Sequence, residues 1–382
     1  MKKHLAILDG LRGIAALWVL VGHSLMLTGW HVPLLVQPDL GVDLFILLSG
    51  FLMVFQYEQR RLTENWEKPS TWAAFWTRRY FRIAPLYYLC LFAALVMGPS
   101  LFADRNVIDH FIHGDPQEAF RYLDHSPANI AAHATFLFGL VPSYAFRTPL
   151  PDWSLGLEMQ FYACFPFLVM LARRIGWVRS ALGLTAFAAL IVGAMTVTGI
   201  TFPMPSFLPL KLNEFLAGML IAALLASNKP IPLAWLVAIA VLPLLQIGGP
   251  NGPGHLLIRE LLTLTMLALV HYRSAPVIRQ VAKFLETAPL HWLGELSYGV
   301  YLIHLLVLHP VAAWVITHHG QWHAPSRFFL ALGIVAPVSY AIAFVTYWLV
   351  ERPGQALGRN LVRHMANRRA SLNTPAEQIG AP

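Results

Sequence analysis

The sequence predicts an all-α fold, a polytopic transmembrane bundle of about ten helices with both termini in the cytoplasm. Of its 382 residues 57% are apolar and only 12% are charged, whereas about a quarter of the residues in a soluble domain are charged. About 20 apolar residues span a bilayer as a helix, so the chain is long enough for roughly ten spans. We expect residues 1–353 to form one membrane domain and residues 354–382 to form a basic, partly disordered cytoplasmic tail.

Ten long apolar segments account for the predicted helices, and connections rich in Pro and Gly separate several of them. The segment 131–144 is apolar but too short to span comfortably, so we interpret it as re-entrant or interfacial. The ten segments are 12–29, 40–57, 80–98, 153–171, 180–199, 209–227, 232–248, 256–272, 293–317 and 326–350.

The distribution of Lys and Arg predicts the orientation, because these residues concentrate in cytoplasmic loops. If ten helices alternate from a cytoplasmic N-terminus, most of the 27 basic residues lie on the inner side. The formal charge of +8 therefore indicates membrane orientation, and we predict no nucleic-acid partner. Six basic residues fall on the outer side: Arg105, Arg121, Arg147, Lys211, Arg259 and Arg327.

Arg12 and His23 lie on one face of the first helix, because eleven residues at 100° each end about 20° beyond three full turns. They are roughly 16 Å apart along the helix axis. Ionisable residues inside spans are costly and are usually functional or paired. This spacing suits a long, thin substrate with phosphates at the basic inner end and a reactive end at the imidazole. Acyl-coenzyme A is such a molecule, and it is the donor we predict.

Two acidic residues also fall in the outer half of the membrane: Asp43 lies just inside the outer end of the second helix, and Glu214 lies at a comparable depth on the sixth. Asp43 can orient the imidazole, or it can cap a helix N-terminus, where the helix dipole favours a negative charge. Glu214 is either a contact for the acceptor substrate or a partner for Lys211 at i, i+3.

Two further helices present polar side chains at regular spacing. Ser154, Glu158 and Tyr162 form an i, i+4, i+8 stripe, and Glu158 is a second candidate to orient His23. Late in the chain, Tyr301 and His304 share a helix face and are candidates to line the passage or to contact the acceptor. Both sets also have a simpler interpretation as satisfied polar groups of a helix bundle.

Arg79 and Arg82 share a helix face at i, i+3 on the inner side. Guanidinium groups suit the phosphates of CoA, although arginines flanking a span are also ordinary orientation signals. No nucleophile-elbow, P-loop or zinc-protease motif occurs, and the histidines lack metal-ligand spacing. We therefore predict no metal and no bound cofactor.

Several motifs, in order along about residues 5–353, resemble those of the acyltransferase 3 family of membrane acyltransferases. The matching segments are LDGLRG at 8–13 leading to His23, GVDLF at 41–45, LSGF at 48–51, RYFRIAPLY at 79–87, WSL at 153–155 with Glu158, SYGVYLIH at 297–304, and ERP at 351–353.

The resemblance implies a roughly ten-helix enzyme of the bacterial inner membrane that acylates, commonly acetylates, hydroxyls of extracytoplasmic carbohydrates or lipid-linked saccharides. It implies His23 as the catalytic residue and Arg12, Arg79 and Arg82 as acyl-CoA contacts. Some members carry an SGNH domain after the last helix, and we expect this chain to be the standalone form.

We expect His23 to act as the general base on the acceptor hydroxyl, or to carry the acyl group covalently. Glu158 or Asp43 would orient it, as a carboxylate does in a catalytic triad. Two alternatives are a transporter or flippase for an envelope precursor, since intramembrane charges also mark permeation paths, and a non-catalytic partner subunit.

Overall fold

The fold is described from a computed structural model over residues 5–114, 118–227, 230–245, 247–248 and 252–373. The described residues form helices and connecting turns, without a β-strand among them. In chain order the α-helices are α1 (Ala6–Thr28), α2 (Pro38–Arg60), α3 (Pro69–Ile112), α4 (Phe120–Leu123), α5 (Pro127–Ala134), α6 (Trp153–Ile175), α7 (Trp177–Val197), α8 (Leu212–Ser227), α9 (Leu233–Val241), α10 (Pro253–His271), α11 (Pro276–Leu285), α12 (Ala288–His319), α13 (Ala324–Thr346) and α14 (Arg352–Asn373).

Eight of the described helical stretches are long and apolar enough to cross a membrane: α1, α2, α3, α6, α7, α10, α12 and the stretch Ala324–Arg368. That last stretch joins α13 to α14 through a π-helical turn at Tyr347–Glu351. Two shorter apolar helices, Leu212–Ser227 and Leu233–Leu244, match the remaining predicted segments. The prediction of an all-α transmembrane bundle is confirmed.

The segment 131–144 contains no long helix. It holds the end of α5 and a 3₁₀ turn at Leu137–Leu140. This turn packs on the start of α6, where the Cα atom of Gly139 lies against Gly156 so closely that a Cβ there would come within 3.1 Å. The segment is therefore folded onto the bundle and does not form an eleventh span.

The helix α14 gives residues 352–373 a regular structure, so this part of the predicted tail is helical. The helix α14 is hydrophilic because it contains many basic residues. The predicted domain boundary at residue 353 stays a prediction. Lys2, Lys3 and Lys229, which contributed to the predicted orientation, lie outside the described residues, as does the end of the tail after residue 373.

Close backbone contacts bring together the four helices at the centre, with α1 packed on α12 and α2 packed on α8. A Cβ on Gly294 of α12 would lie 2.1 Å from the carbonyl oxygen of Asp9, and one on Gly218 of α8 would lie 2.1 Å from that of Leu47. Helices in lipid pack through small residues in this way, since backbones can then approach closely. The polar faces of α1, α2 and α12 consequently share one interior.

We expect Gly218→Ala to destabilise the protein by roughly 1–3 kcal/mol, because the added methyl group overpacks the contact with α2. The matched control is Gly193→Ala on α7, where a Cβ would meet nothing within 4 Å. Alanine is favoured over glycine inside a helix by about 0.5–1 kcal/mol, so the control should be neutral or stabilising. Thermal unfolding of both variants in detergent checks this, and equal midpoints would contradict the packing.

Candidate functional site

Arg12 of α1 and Arg79 and Arg82 of α3 line a single internal cavity of about 100 Å³. A second cavity of about 180 Å³ adjoins it and forms its wide opening. Arg79 and Arg82 line both cavities, and Arg60 and Arg359 line the second. We call the two together the arginine cavity. The structure thus brings together three arginines from two helices, α1 and α3. Their role as acyl-CoA contacts stays a prediction.

Three guanidinium groups of the arginine cavity, those of Arg12, Arg79 and Arg82, form no salt bridge within the part of the chain that the structure describes. Arg79 donates to Gln56 Oε1, and its guanidinium carbon lies 5.4 Å from the ring centroid of Tyr162. Among the described residues, no carboxylate lies within 4 Å of the guanidinium nitrogens of Arg12, Arg79 or Arg82. Unpaired cations inside a membrane protein mark ligand or ion pathways, and guanidinium groups suit phosphate.

The stripe on α6 faces the same cavity. Ser154, Glu158 and Tyr162 all line it. Glu158 Oε1 accepts a hydrogen bond from Ser49 Oγ at 3.0 Å and another from Tyr162 Oη. The stripe therefore belongs to the arginine cavity, and Ser49, in the LSGF motif, is a site residue that the sequence reasoning did not single out.

His23 lines a different cavity of about 490 Å³, which we call the histidine cavity. Val42 and Tyr301 line both cavities and separate them. Tyr301 is fixed in this position: its hydroxyl donates to the carbonyl oxygen of Pro151 at 2.5 Å and accepts from Ser154 Oγ at 2.7 Å. Arg12 and His23 thus open onto adjacent spaces with one phenol between them.

Two groups contact His23 Nδ1: the ring of His304 and, at 3.1 Å, the carbonyl oxygen of Val19. His304 Nε2 lies 3.0 Å from His23 Nδ1, and His304 Nδ1 lies 2.8 Å from the carbonyl oxygen of Tyr301. A carbonyl oxygen only accepts, so His304 Nδ1 carries a hydrogen, and in the neutral ring its Nε2 is then an acceptor. His23 Nδ1 donates to it, which leaves the lone pair of His23 Nε2 free. The geometry thus selects the tautomer that a general base requires.

The prediction that a carboxylate orients His23 is wrong for both candidates. Within the described part of the chain, no hydrogen bond joins Glu158 or Asp43 to His23. Counting residues from helix ends gave a similar depth for these groups, but depth does not determine which way a side chain faces. Glu158 faces the arginine cavity, and Asp43 faces α8 and α10.

Asp43 belongs to a buried four-residue ion cluster beside the histidine cavity. Its carboxylate lies 2.7 Å from Lys211 Nζ and 2.5 Å from Arg259 Nε. Glu214 Oε1 lies 2.9 Å from Lys211 Nζ and 3.4 Å from Arg259 Nε. The predicted pairing of Glu214 with Lys211 is confirmed. Asp43 is the sixth residue of α2 and so does not cap that helix.

Several residues of the histidine cavity were not predicted as site residues, among them Arg105, Arg121, His255 and His309. His309 Nε2 lies 3.4 Å from Tyr122 Oη, and His255 Nε2 contacts Asp39 Oδ2. The two arginines did carry a signal in the sequence. They are among the six basic residues that the predicted topology leaves on the outer side, where arginine is disfavoured.

The comparison with known families agrees with this geometry. The family model for the acyltransferase domain, acyltransferase 3, matches residues 5–344. The chain belongs to the acyltransferase 3 family.

Curated relatives of this acyltransferase 3 chain include cell-wall enzymes. The peptidoglycan O-acetyltransferase OatA of Listeria monocytogenes is 25% identical over 92% of this chain and 56% of its own length. The putative peptidoglycan O-acetyltransferase YrhL of Bacillus subtilis is also 25% identical, over 92% and 55%. Nodulation protein 10 of Rhizobium leguminosarum is 27% identical over 90% and 89%. The chain therefore spans little more than half the length of the first two relatives. No solved structure matches it.

We expect Asp43→Asn to destabilise this acyltransferase 3 protein by about 3–5 kcal/mol, because Lys211 and Arg259 then share the single carboxylate of Glu214, which leaves one buried positive charge uncompensated. The matched control is Asp39→Asn, since the Asp39 side chain is 34% exposed and surface ion pairs contribute about 0–1 kcal/mol. Thermal unfolding in detergent compares the two variants. An Asp43→Asn midpoint no lower than that of the control would contradict the assigned ion cluster.

Proposed function

We propose that this chain transfers an acyl group, acetyl in its commonest form, from cytoplasmic acyl-CoA to a hydroxyl of an extracytoplasmic carbohydrate or lipid-linked saccharide. One observation carries the proposal: a cavity lined by three guanidinium groups that form no salt bridge among the described residues abuts a cavity that contains an imidazole with a free lone pair. The first suits a polyanionic donor, and the second suits activation of an acceptor.

The arginine cavity supports binding of the CoA donor. Its wide opening holds Arg60, Arg78, Arg79, Arg82 and Arg359, which suits the nucleotide phosphates. Its inner part is lined largely by apolar side chains, among them Phe45, Leu48, Leu52, Ile83 and Leu155. An apolar channel of this kind suits the pantetheine arm and excludes water from the thioester.

The histidine cavity supports activation of the acceptor. His23 Nε2 takes the proton from the acceptor hydroxyl while the hydroxyl oxygen attacks the thioester carbonyl. The new C–O bond forms, the C–S bond breaks, and the CoA thiolate receives the proton. In the variant with an acyl-histidine, His23 Nε2 itself attacks the thioester, the C–S bond breaks and CoA leaves as the thiolate. The acceptor hydroxyl oxygen then attacks the acyl-histidine, the C–N bond breaks, and the hydroxyl proton goes to the CoA thiolate. His304 is a positioning residue that holds His23 in the reactive tautomer.

Tyr301 lies between the arginine cavity, where the thioester would be bound, and the cavity that His23 lines. For the transfer to occur, its phenol must leave Pro151 and Ser154 and turn away, so we propose that it opens when donor and acceptor are bound. A closed barrier keeps acceptor-side water from hydrolysing bound acyl-CoA.

The comparisons support the acceptor class. Two of the relatives are named as peptidoglycan O-acetyltransferases, and the chain is a multi-pass membrane protein. We therefore place the acceptor in the cell envelope of a bacterium and the protein in its inner membrane.

Inside-out membrane vesicles test the function. [Acetyl-¹⁴C]CoA is added to the exposed cytoplasmic face, and label released from the saccharide fraction by mild alkali is counted as O-acetyl ester. We expect His23→Ala to lower this label by about 100-fold or more, because a general base contributes about 10²–10⁴-fold. The control, His318→Ala, changes an exposed histidine at the far end of α12 and should retain wild-type labelling.

Two results would contradict the proposal. Wild-type labelling in His23→Ala would remove the histidine from the reaction. Movement of a saccharide precursor across the membrane without release of free CoA would instead identify a transporter.

A further inference from the structure

The histidine cavity has a strongly cationic lining. The formally charged side chains that line it among the described residues are Arg105, Arg121, Lys211 and Arg259, opposed by the single carboxylate of Asp39. They come from four different parts of the chain. A neutral sugar acceptor would need none of these charges, since hydroxyls are bound well by neutral polar groups.

The carboxylates that partner these cations lie behind them. Asp43 and Glu214 pair with Lys211 and Arg259 but do not line the cavity. Asp109 lies 2.8 Å from Arg105 Nη2 and is also absent from the lining. The cations therefore face the cavity, and the carboxylates lie on their far side. The electrostatic potential inside the cavity is positive even where an ion pair is neutral overall.

The sequence gives an independent reason to regard this arrangement as functional. The predicted topology leaves six basic residues on the outer side, and four of them line this cavity. The other two have structural contacts elsewhere: Arg147 pairs with Asp124 at 2.6 Å, and Arg327 Nε donates to the carbonyl oxygen of Thr28 at 3.2 Å. The basic residues that break the orientation rule thus concentrate around His23.

Arg121 is held rigidly for binding. It is buried, its Nε donates to the carbonyl oxygen of Thr148 at 3.2 Å, and its guanidinium carbon lies 3.8 Å from the ring centroid of Phe146. Phe146 and Trp153 also line the cavity. A fixed guanidinium beside aromatic rings is suited to an acidic sugar, because the rings contact the sugar face and the guanidinium binds its anionic group.

We propose that the acceptor is an anionic saccharide, which carries a carboxylate or phosphate near the hydroxyl to be acylated, and that Arg121 and Arg105 bind this anionic group. The inference rests on the proposed function for the role of His23, but binding of the anion requires neither CoA nor transfer.

Binding is measured by saturation-transfer-difference NMR on the purified chain in nanodiscs, without CoA. The probes are methyl β-D-glucuronide and methyl β-D-glucoside, which differ by one carboxylate, and glucose 6-phosphate as the phosphate arm. We expect the wild-type protein to bind at least one charged probe at least tenfold more tightly than the neutral glucoside. Whichever charged probe binds more tightly shows whether the site prefers a carboxylate or a phosphate.

Two variants and a control assign the preference to the cavity. Arg121→Gln should reduce the preference for the charged probe to less than threefold, while Arg121→Lys, which keeps the charge, should retain most of it. Arg147→Gln removes an arginine that does not line the cavity and should change nothing. If Arg121→Gln fails to purify as a folded protein, Arg105→Gln takes its place.

The proposal is overturned if the wild-type chain binds the glucoside as tightly as both charged probes, or if Arg121→Gln and Arg105→Gln keep the wild-type preference. Failure of acyl-CoA to donate in the vesicle assay, with the NMR preference intact, would overturn the proposed transfer but leave the anion site standing.

Discussion

The structure depends on one constraint, that lipid hydrocarbon cannot solvate polar groups, so each must find a partner or a cavity within the protein. Asp43 and Lys211 satisfy it as part of an ion cluster. His304 satisfies it through backbone carbonyls and His23. Arg12 and Arg82 satisfy it by facing the arginine cavity. Polar groups that face a cavity, such as these two arginines, are the ones available to a ligand. They lie where the proposed acyl-CoA donor would enter.

The same constraint bears on the proposed transfer, in which two substrates from opposite sides of the membrane would meet. Among the residues that the structure describes, Val42 and Tyr301 are the two that line both the arginine cavity and the histidine cavity. Hydrogen bonds with Pro151 and Ser154 hold the Tyr301 hydroxyl in place between the two cavities. Rotation of this one side chain would break both hydrogen bonds and connect the cavities. A membrane acyltransferase needs such a barrier, because an open passage would admit both ions and water to the thioester.

Local patterns were enough to predict the spans, since hydropathy is a property of single segments. The 100° helical repeat placed Arg12 and His23 on one face of the first helix, but the two residues line different cavities. Local patterns failed for the partner of His23. Counting residues along α6 and α2 gave the depth of Glu158 and Asp43 but not the rotation of each helix, which is set by packing contacts such as that of Gly218 with Leu47. The contact of His23 with His304 joins residues 281 positions apart. A repeat within a single helix therefore cannot predict it.

A cryo-EM structure with a non-hydrolysable thioether analogue of acetyl-CoA would test the central claim, that the donor enters through the arginine cavity and reaches His23. We expect the phosphates beside Arg79 and Arg82, the pantetheine arm along α2, the Tyr301 hydroxyl displaced from Pro151, and the acyl carbon next to His23 Nε2. Phosphates bound away from these arginines, or an acyl end in a space that His23 does not line, would contradict the claim.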